Sequence, residues 1–340
     1  MLRIKTMRDL IGIVKDKVSL SKLALLSKPN TLSLHVAVLR TTSHSSSTLP
    51  NDHHLATLLS LGDSSRATAS IIIHSLMDRL HRTKDSYVAL KCLLTIHHII
   101  KRGPFILKDQ LSVFSSTGGR NNLKLSGFRD GASATTWVLS AWVRWYARYL
   151  ETILSTSKSL GFVICSSSCS VLEREKQQDA ISSFMNSDLI RDFVLLVGVV
   201  EEICKVPDNL LVERDKILHG VMELLANDYL STVNEILLRL SEFKERLGLL
   251  SFNDSVELAS ALDRVTACRE KSLQLFSIRK PSVDTLWEII EELNNKFGFL
   301  KLQKLKRDSG SESARFGDRV LVTRDPLKFS SGRLRLNYGV

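Results

Sequence analysis

The sequence predicts an all-α protein built as a stacked α-solenoid. Three observations carry that prediction. Apolar residues recur at helical spacing over most of the chain, only 6 prolines and 16 glycines interrupt 340 residues, and short polar connections separate the periodic stretches. The 44% hydrophobic content is enough for a real core. No fixed-period repeat is present, so the helices are not copies of one another.

The first periodic stretch is 5–26, with Leu10, Ile11, Val14, Val18 and Leu25 as apolar positions and Lys5, Arg8, Lys15, Lys17 and Lys22 among the rest. This pattern fits a basic amphipathic helix lying in a membrane interface, and it equally fits a first core helix. Gly12 weakens such a helix in isolation, as expected of one that folds only on contact. A short apolar helix follows at 31–40. Next comes a Ser/Thr-rich loop, and then Asn51 and Asp52 as N-cap candidates for the helix that carries His53 and His54. Open amides and the positive dipole end at that start favour a phosphate.

Ile71, Ile72, Leu76 and Leu80 define the apolar face of the next helix. Residues 86–101 are apolar nearly all round, predicting a central buried helix ended at Gly103-Pro104. Residues 115–133 read as a glycine-rich loop and 134–158 as a strong helix whose Trp137, Trp142, Trp145, Tyr146 and Tyr149 form core packing. The Ser/Cys-rich piece at 163–170 separates two halves. Further helices are expected near 175–186, 188–204, 209–226, 229–247, 254–276 and 282–299, with Asp208 and Asn227-Asp228 as caps or turns. From about 305 the periodicity fades into a basic, flexible tail.

Charge is unevenly distributed. The net +11 divides into +9 over 1–110 (16 Lys and Arg against 7 Asp and Glu), +4 over 111–160 (6 against 2), −8 over 161–300 (15 against 23) and +6 over 301–340 (10 against 4). A basic N-terminal half points to a polyanionic partner, either a phosphoinositide membrane or nucleic acid. No run of about 18 uncharged apolar residues is long enough to span a bilayer. The charged N-terminal residues do not suit a signal peptide. Five scattered cysteines fit a reduced, cytoplasmic chain, not a disulfide framework.

No enzyme, cofactor or metal signature survives inspection: HExxH, GxSxG, Walker A and zinc spacings are all missing. His97-His98 cannot share a helix face, so a packed or hydrogen-bonded role is expected for them. Glu201-Glu202 and Glu291-Glu292 read as solvated faces. Trp142, Arg144, Trp145 and Arg148 come nearest to an aromatic–cation surface for nucleic acid, at a spacing that suits packing equally well.

Three blocks, YVALKCLLTIHHIIKRG (Tyr87–Gly103), LKLSGFRD (Leu123–Asp130) and SAWVRWYARYLE (Ser140–Glu151), resemble successive signature blocks of the ANTH domain of clathrin assembly proteins, especially those of plants. The resemblance implies a right-handed superhelical ENTH/ANTH-like domain over 1–300. Within it, 1–160 would be the basic lipid-binding half and 161–300 an acidic helical extension, with 301–340 a flexible tail. It implies binding of phosphatidylinositol 4,5-bisphosphate and no enzymatic activity. The implied partners are clathrin heavy chain, the adaptor complex and, in some relatives, vesicle SNAREs. The implied locations are coated pits of the plasma membrane, coated vesicles and the Golgi.

In that family a lysine, then a K-x-[K/R]-[H/Y] cluster after a loop, holds the headgroup. Here Arg40 stands at the first lysine, Asn51 and His53 at the two later cations, and His54 at the terminal position. Asn51 and His53 in place of cations, with the titratable His54 beside them, predict weaker, more pH-sensitive binding. The expected membrane-facing residues are Arg8, Leu10, Ile11, Val14 and Lys15. Residues 301–340 contain no NPF, DPF or clathrin-box segment. A helical scaffold without lipid binding and a basic nucleic-acid binder are the competing expectations.

Overall fold

The computed structural model describes residues 2–26, 28–45, 48–116, 123–164, 171–207, 215–276 and 281–312. It divides into two units, Met1–Asn294 and Asn295–Val340, and every contact given below lies within the first. No strand occurs among the described residues.

The helices are α1 (Leu2–Leu26), α2 (Pro29–Thr41), α3 (Asp52–Asp63), α4 (Arg66–Arg82), α5 (Ser86–Arg102), α6 (Phe105–Ser116), α7 (Ala134–Leu160), α8 (Val171–Ser182), α9 (Asn186–Cys204), α10 (Lys216–Arg246), α11 (Phe252–Ala267), α12 (Arg269–Leu275) and α13 (Pro281–Glu312). The all-α expectation holds. Helix α6 is an addition, since no periodicity had been assigned to 105–116. Tertiary partners stabilise it: Leu107 and Leu111 are buried, and α6 packs on α3, α4, α5 and α7.

Local chemistry sets many of the helix starts. Ser65 and Ser133 each close a capping box with a threonine three residues on, while Asp85 and Asp215 accept the first free amides of α5 and α10. Gly161 ends α7 in the left-handed region at φ 80°, where a side chain would be strained.

Helix α5 is the centre, as its sequence predicts. It packs on α2, α4, α6, α7 and α10, and Leu90, Cys92, Leu93, Ile96 and Ile99 are wholly buried. Each such apolar side chain contributes about 1.5–3 kcal/mol. Burial pushes the Cys92 thiol up to about 12. Packing continues from α7 to α9 and from α9 to α10 and α11.

Several sequence expectations are corrected. Residues 216–246 form one helix, with no turn at Asn227-Asp228. Asp228 is buried mid-helix, where its carboxylate accepts from His97 Nε2 (2.7 Å), Tyr149 Oη (2.6 Å) and Lys101 Nζ (2.5 Å). Those partners remove the usual reason for an aspartate to break a helix. Residues 254–276 divide into α11 and α12 at Cys268. Helix α13 runs on to Glu312, past the expected start of the tail. Trp137 is 56% exposed, whereas Trp142, Trp145, Tyr146 and Tyr149 are core.

Glu202 is no solvated residue: it is 5% exposed and pairs with Arg148 and Lys205. Glu201 pairs with Arg264 at 2.6 Å. Ile71 is only half-buried, and the inner face of α4 runs through Ala69, Ile72, Ile73, Leu76, Met77 and Leu80. Cys92, Cys204 and Cys268 are free thiols, while Cys165, Cys169 and Asp208 lie outside the described residues.

His97 has the hydrogen-bonded role expected of it, with Nδ1 at 2.8 Å from Tyr146 Oη. Its neighbour His98 faces Arg102, whose guanidinium lies 2.8 Å from His98 Nδ1. Burial first, then the charges of Arg102, His97 and Lys101, hold the His98 imidazole down to about 3. The unfolded chain takes up that proton near 6.5 and the folded chain does not. Stability is therefore lost as pH falls from about 6.5 towards 3. Thermal melts at pH 7 and pH 5 should show a smaller acid loss for His98→Gln than for wild type, and equal losses would remove His98 as the cause.

Candidate functional site

The stretch from α2 to α3 is held by buried or half-buried charge on three other elements. Lys91 of α5, itself buried, donates to Ser45 O at 2.7 Å and Ser43 Oγ at 3.2 Å. Arg79 of α4 donates to Thr42 O at 2.6 Å. Asp16 of α1 accepts the His44 amide at 2.8 Å and meets His44 Nδ1 at 2.6 Å, with Arg79 at 3.4 Å. Burial opposes the Asp16 charge, but both hydrogen bonds from His44 and the charge of Arg79 outweigh it, so this carboxyl lies below its ordinary value. The loop between Arg40 and Asn51 is thus pinned at Thr42, Ser43, His44 and Ser45.

Pinning brings Arg40, Asn51 and His54 onto one open pocket of about 640 Å³, floored by Leu39 and Pro50 and walled on one side by Asp16 and Leu20 of α1. Arg40 sits in the last turn of α2, exposed, with no carboxylate partner among the described residues. Asn51 is the N-cap of α3, as predicted, and its side-chain oxygen accepts the His53 amide at 2.9 Å. That bond uses one of the amides expected to be open to a phosphate, which leaves the Asn51 side-chain NH₂ for a ligand. His53 is exposed beside the pocket, its ring 5.8 Å from that of His54. Burial first, then Arg40 and His53, lower the pKa of His54, so it is neutral at pH 7. Two carboxylates missed in the sequence reading also line the pocket: Asp16, already paired, and Asp52 in the first turn of α3.

Helix α1 faces opposite to an ordinary surface helix. Gly12 is buried, and a Cβ placed there would lie 2.7 Å from His44 Cβ. Gly12, Asp16, Ser19 and Leu23 share the docked side, one helical face by spacing. Met7 (66%), Leu10 (59%), Ile11 (51%), Val14 (59%) and Val18 (47%) form an i, i+3, i+4, i+7, i+11 stripe exposed to solvent. Lys15 is exposed as well. Arg8 lies on α1, and its side chain falls outside the description. Gly12 therefore has a packing role, which a reading of α1 as an isolated helix did not anticipate.

The candidate aromatic–cation surface is dismantled by packing. Trp142 and Trp145 are buried, Arg144 donates to Phe128 O at 2.8 Å, and Arg148 pairs with Glu202. No helix among the described residues is long and apolar enough to cross a membrane. No group of three or more metal-ligating side chains occurs among them either.

The ANTH domain family matches residues 33–189, from the middle of α2 into α9. A protein of Arabidopsis thaliana named as a clathrin assembly protein is 47% identical, over 99% of this chain and 98% of its own length. The chain belongs to the ANTH-domain clathrin assembly proteins. Two further Arabidopsis proteins so named are 31% identical over 84% of each chain, and 29% identical over 84% of this chain and 97% of their own. In this member of the clathrin assembly family, the α2 and α3 residues of the pocket fall inside the matched span, while α1, which supplies Asp16 and Leu20, lies before it.

Proposed function

We propose that this chain is a non-enzymatic, peripheral membrane adaptor of the clathrin coat. It binds phosphoinositide, foremost phosphatidylinositol 4,5-bisphosphate, at the Arg40–Asn51–His54 pocket with His53 at its rim, while the outer face of α1 lies in the bilayer surface. The observation that carries this reading is the outward apolar stripe of α1 beside a pocket whose arginine has no carboxylate partner among the described residues. A stripe of five large apolar side chains is costly to leave in water and contributes only when buried against lipid or a partner. Arg40 can fork onto a phosphate. Family membership supports the coat-assembly role at coated pits and vesicles, and we extend the proposal to the Golgi. The acidic later helices are the surface we assign to protein partners, the adaptor complex and vesicle SNAREs among them.

Co-sedimentation with phosphatidylcholine vesicles containing phosphatidylinositol 4,5-bisphosphate tests the pocket. Arg40→Glu with His53→Glu should weaken binding about tenfold or more, since each cation near an anionic surface contributes about 1 kcal/mol. Undiminished binding would remove the site, and no binding by wild type would favour a scaffold acting without lipid. Because the His54 pKa lies below 6.5, its charge grows only as pH falls, and a phosphate favours the charged form. Binding should therefore be stronger at pH 6 than at pH 7.5, and equal binding at both would count against His54.

A further inference from the structure

We infer a second phosphate-binding site on the other flank of α1, in an open cavity of about 730 Å³ between α1, the α4–α5 turn and the 129–132 turn. Its cations come from three separate elements: Lys15 of α1, Lys84 of the α4–α5 turn, and Arg129 beyond α6. All three are exposed, and none has a carboxylate partner among the described residues. A fourth, Arg82, is held by Asp78 at 2.8 Å.

Two carboxylates also line the cavity, and both are turned into backbone work. Asp85 caps α5 by accepting the Tyr87 amide at 2.9 Å. Asp130, 4% exposed, accepts the Ser86 amide at 2.9 Å and the Ser86 hydroxyl at 3.0 Å. The groups left facing solvent are thus predominantly positive, and converging cations around a concave wall concentrate an anion there. Met7 and Ile11 of the exposed α1 stripe form the edge of the same cavity. The ligand class is a phosphorylated headgroup, with an inositol phosphate as its soluble counterpart. The site is separate from the Arg40 pocket and depends on the proposed lipid reading only for the membrane as the source of the phosphate.

The test uses the full chain with two probes, soluble inositol 1,4,5-trisphosphate by calorimetry and phosphatidylcholine vesicles containing phosphatidylinositol 4,5-bisphosphate by co-sedimentation. Lys84→Glu with Arg129→Glu should weaken vesicle binding about tenfold or more and remove part of the trisphosphate uptake, in addition to the loss from Arg40→Glu. Lys84→Arg with Arg129→Lys should keep both signals. Trisphosphate uptake without any vesicle effect would overturn the membrane as source. Wild-type behaviour of the Glu pair in both assays overturns the site, as does an equal loss from Lys158→Glu with Lys216→Glu, two exposed cations on α7 and α10 whose reversal matches the change in net charge. If Arg40→Glu binds normally and the Glu pair does not, the first pocket is wrong and the second stands.

Discussion

Asp228→Ala is expected to lower stability by about 3–5 kcal/mol, the usual range for removing one partner of a buried ion pair. Asp228 is fully buried and receives His97, Tyr149 and Lys101, so it ties α10 to α5 and α7 at one point. His97 in turn meets Tyr146 of α7 at 2.8 Å. Without the carboxylate, Lys101, whose side chain is 8% exposed, is left as a cation with little water. The loss therefore comes mainly from the stranded charge. Asp228→Leu combined with Lys101→Met should recover part of it, because the double variant strands no charge, although His97 Nε2 and Tyr149 Oη lose their acceptor. Burial opposes ionisation of Asp228, but His97 and Lys101 outweigh it and its pKa lies well below the ordinary value. Its contribution is thus complete above about pH 4 and fades as pH falls through the folded value. Thermal melting of the three proteins decides the matter. A shift for Asp228→Ala no larger than that of an exposed control would show the cluster to be energetically idle.

The second large effect concerns α1. Gly→Ala inside a helix ordinarily gains about 1 kcal/mol from propensity, so Gly12→Ala should stabilise α1 if no contact opposed it. The contact does oppose it: the new Cβ would meet His44 Cβ at 2.7 Å, and His44 is fixed by two bonds to Asp16. Overpacking of this kind costs about 1–3 kcal/mol, and Gly12→Leu should lift α1 from the bundle. Amide exchange across α1 should speed up by as much as about thirtyfold in Gly12→Ala, the upper end of that range less the propensity gain, while α5 and α7 stay protected. Vesicle binding should fall with it, since Asp16 and Leu20 wall one cavity and Lys15 lines the other. Unchanged exchange in α1 would sink the packing role assigned to Gly12.

Parts of the candidate site's geometry were legible in the sequence. Arg40, Asn51 and His54 do meet at one pocket, and Asn51 is the one of the two N-cap candidates, Asn51 and Asp52, that caps α3. Both facts follow from short-range rules, a helix end and a capping residue a few positions apart. The supports were not legible. Lys91 reaches Ser45 across 46 positions, Arg79 reaches Thr42 across 37, and His44 reaches Asp16 across 28. Nothing in the local pattern of any of these residues names its partner.

By itself the sequence determined the helical class, the buried centre at α5, the basic first half and the resemblance that the comparisons then established. Periodicity, composition and capping act over a turn or two of chain, so they survive without knowledge of the neighbours. Only the tertiary structure decided which way α1 faces, that Asp228 continues a helix instead of ending one, and that Glu202 is paired inside while Trp137 stands outside. Each of those outcomes depends on whether a polar group finds a partner when water is removed, and His97, the partner of Asp228, lies 131 positions away.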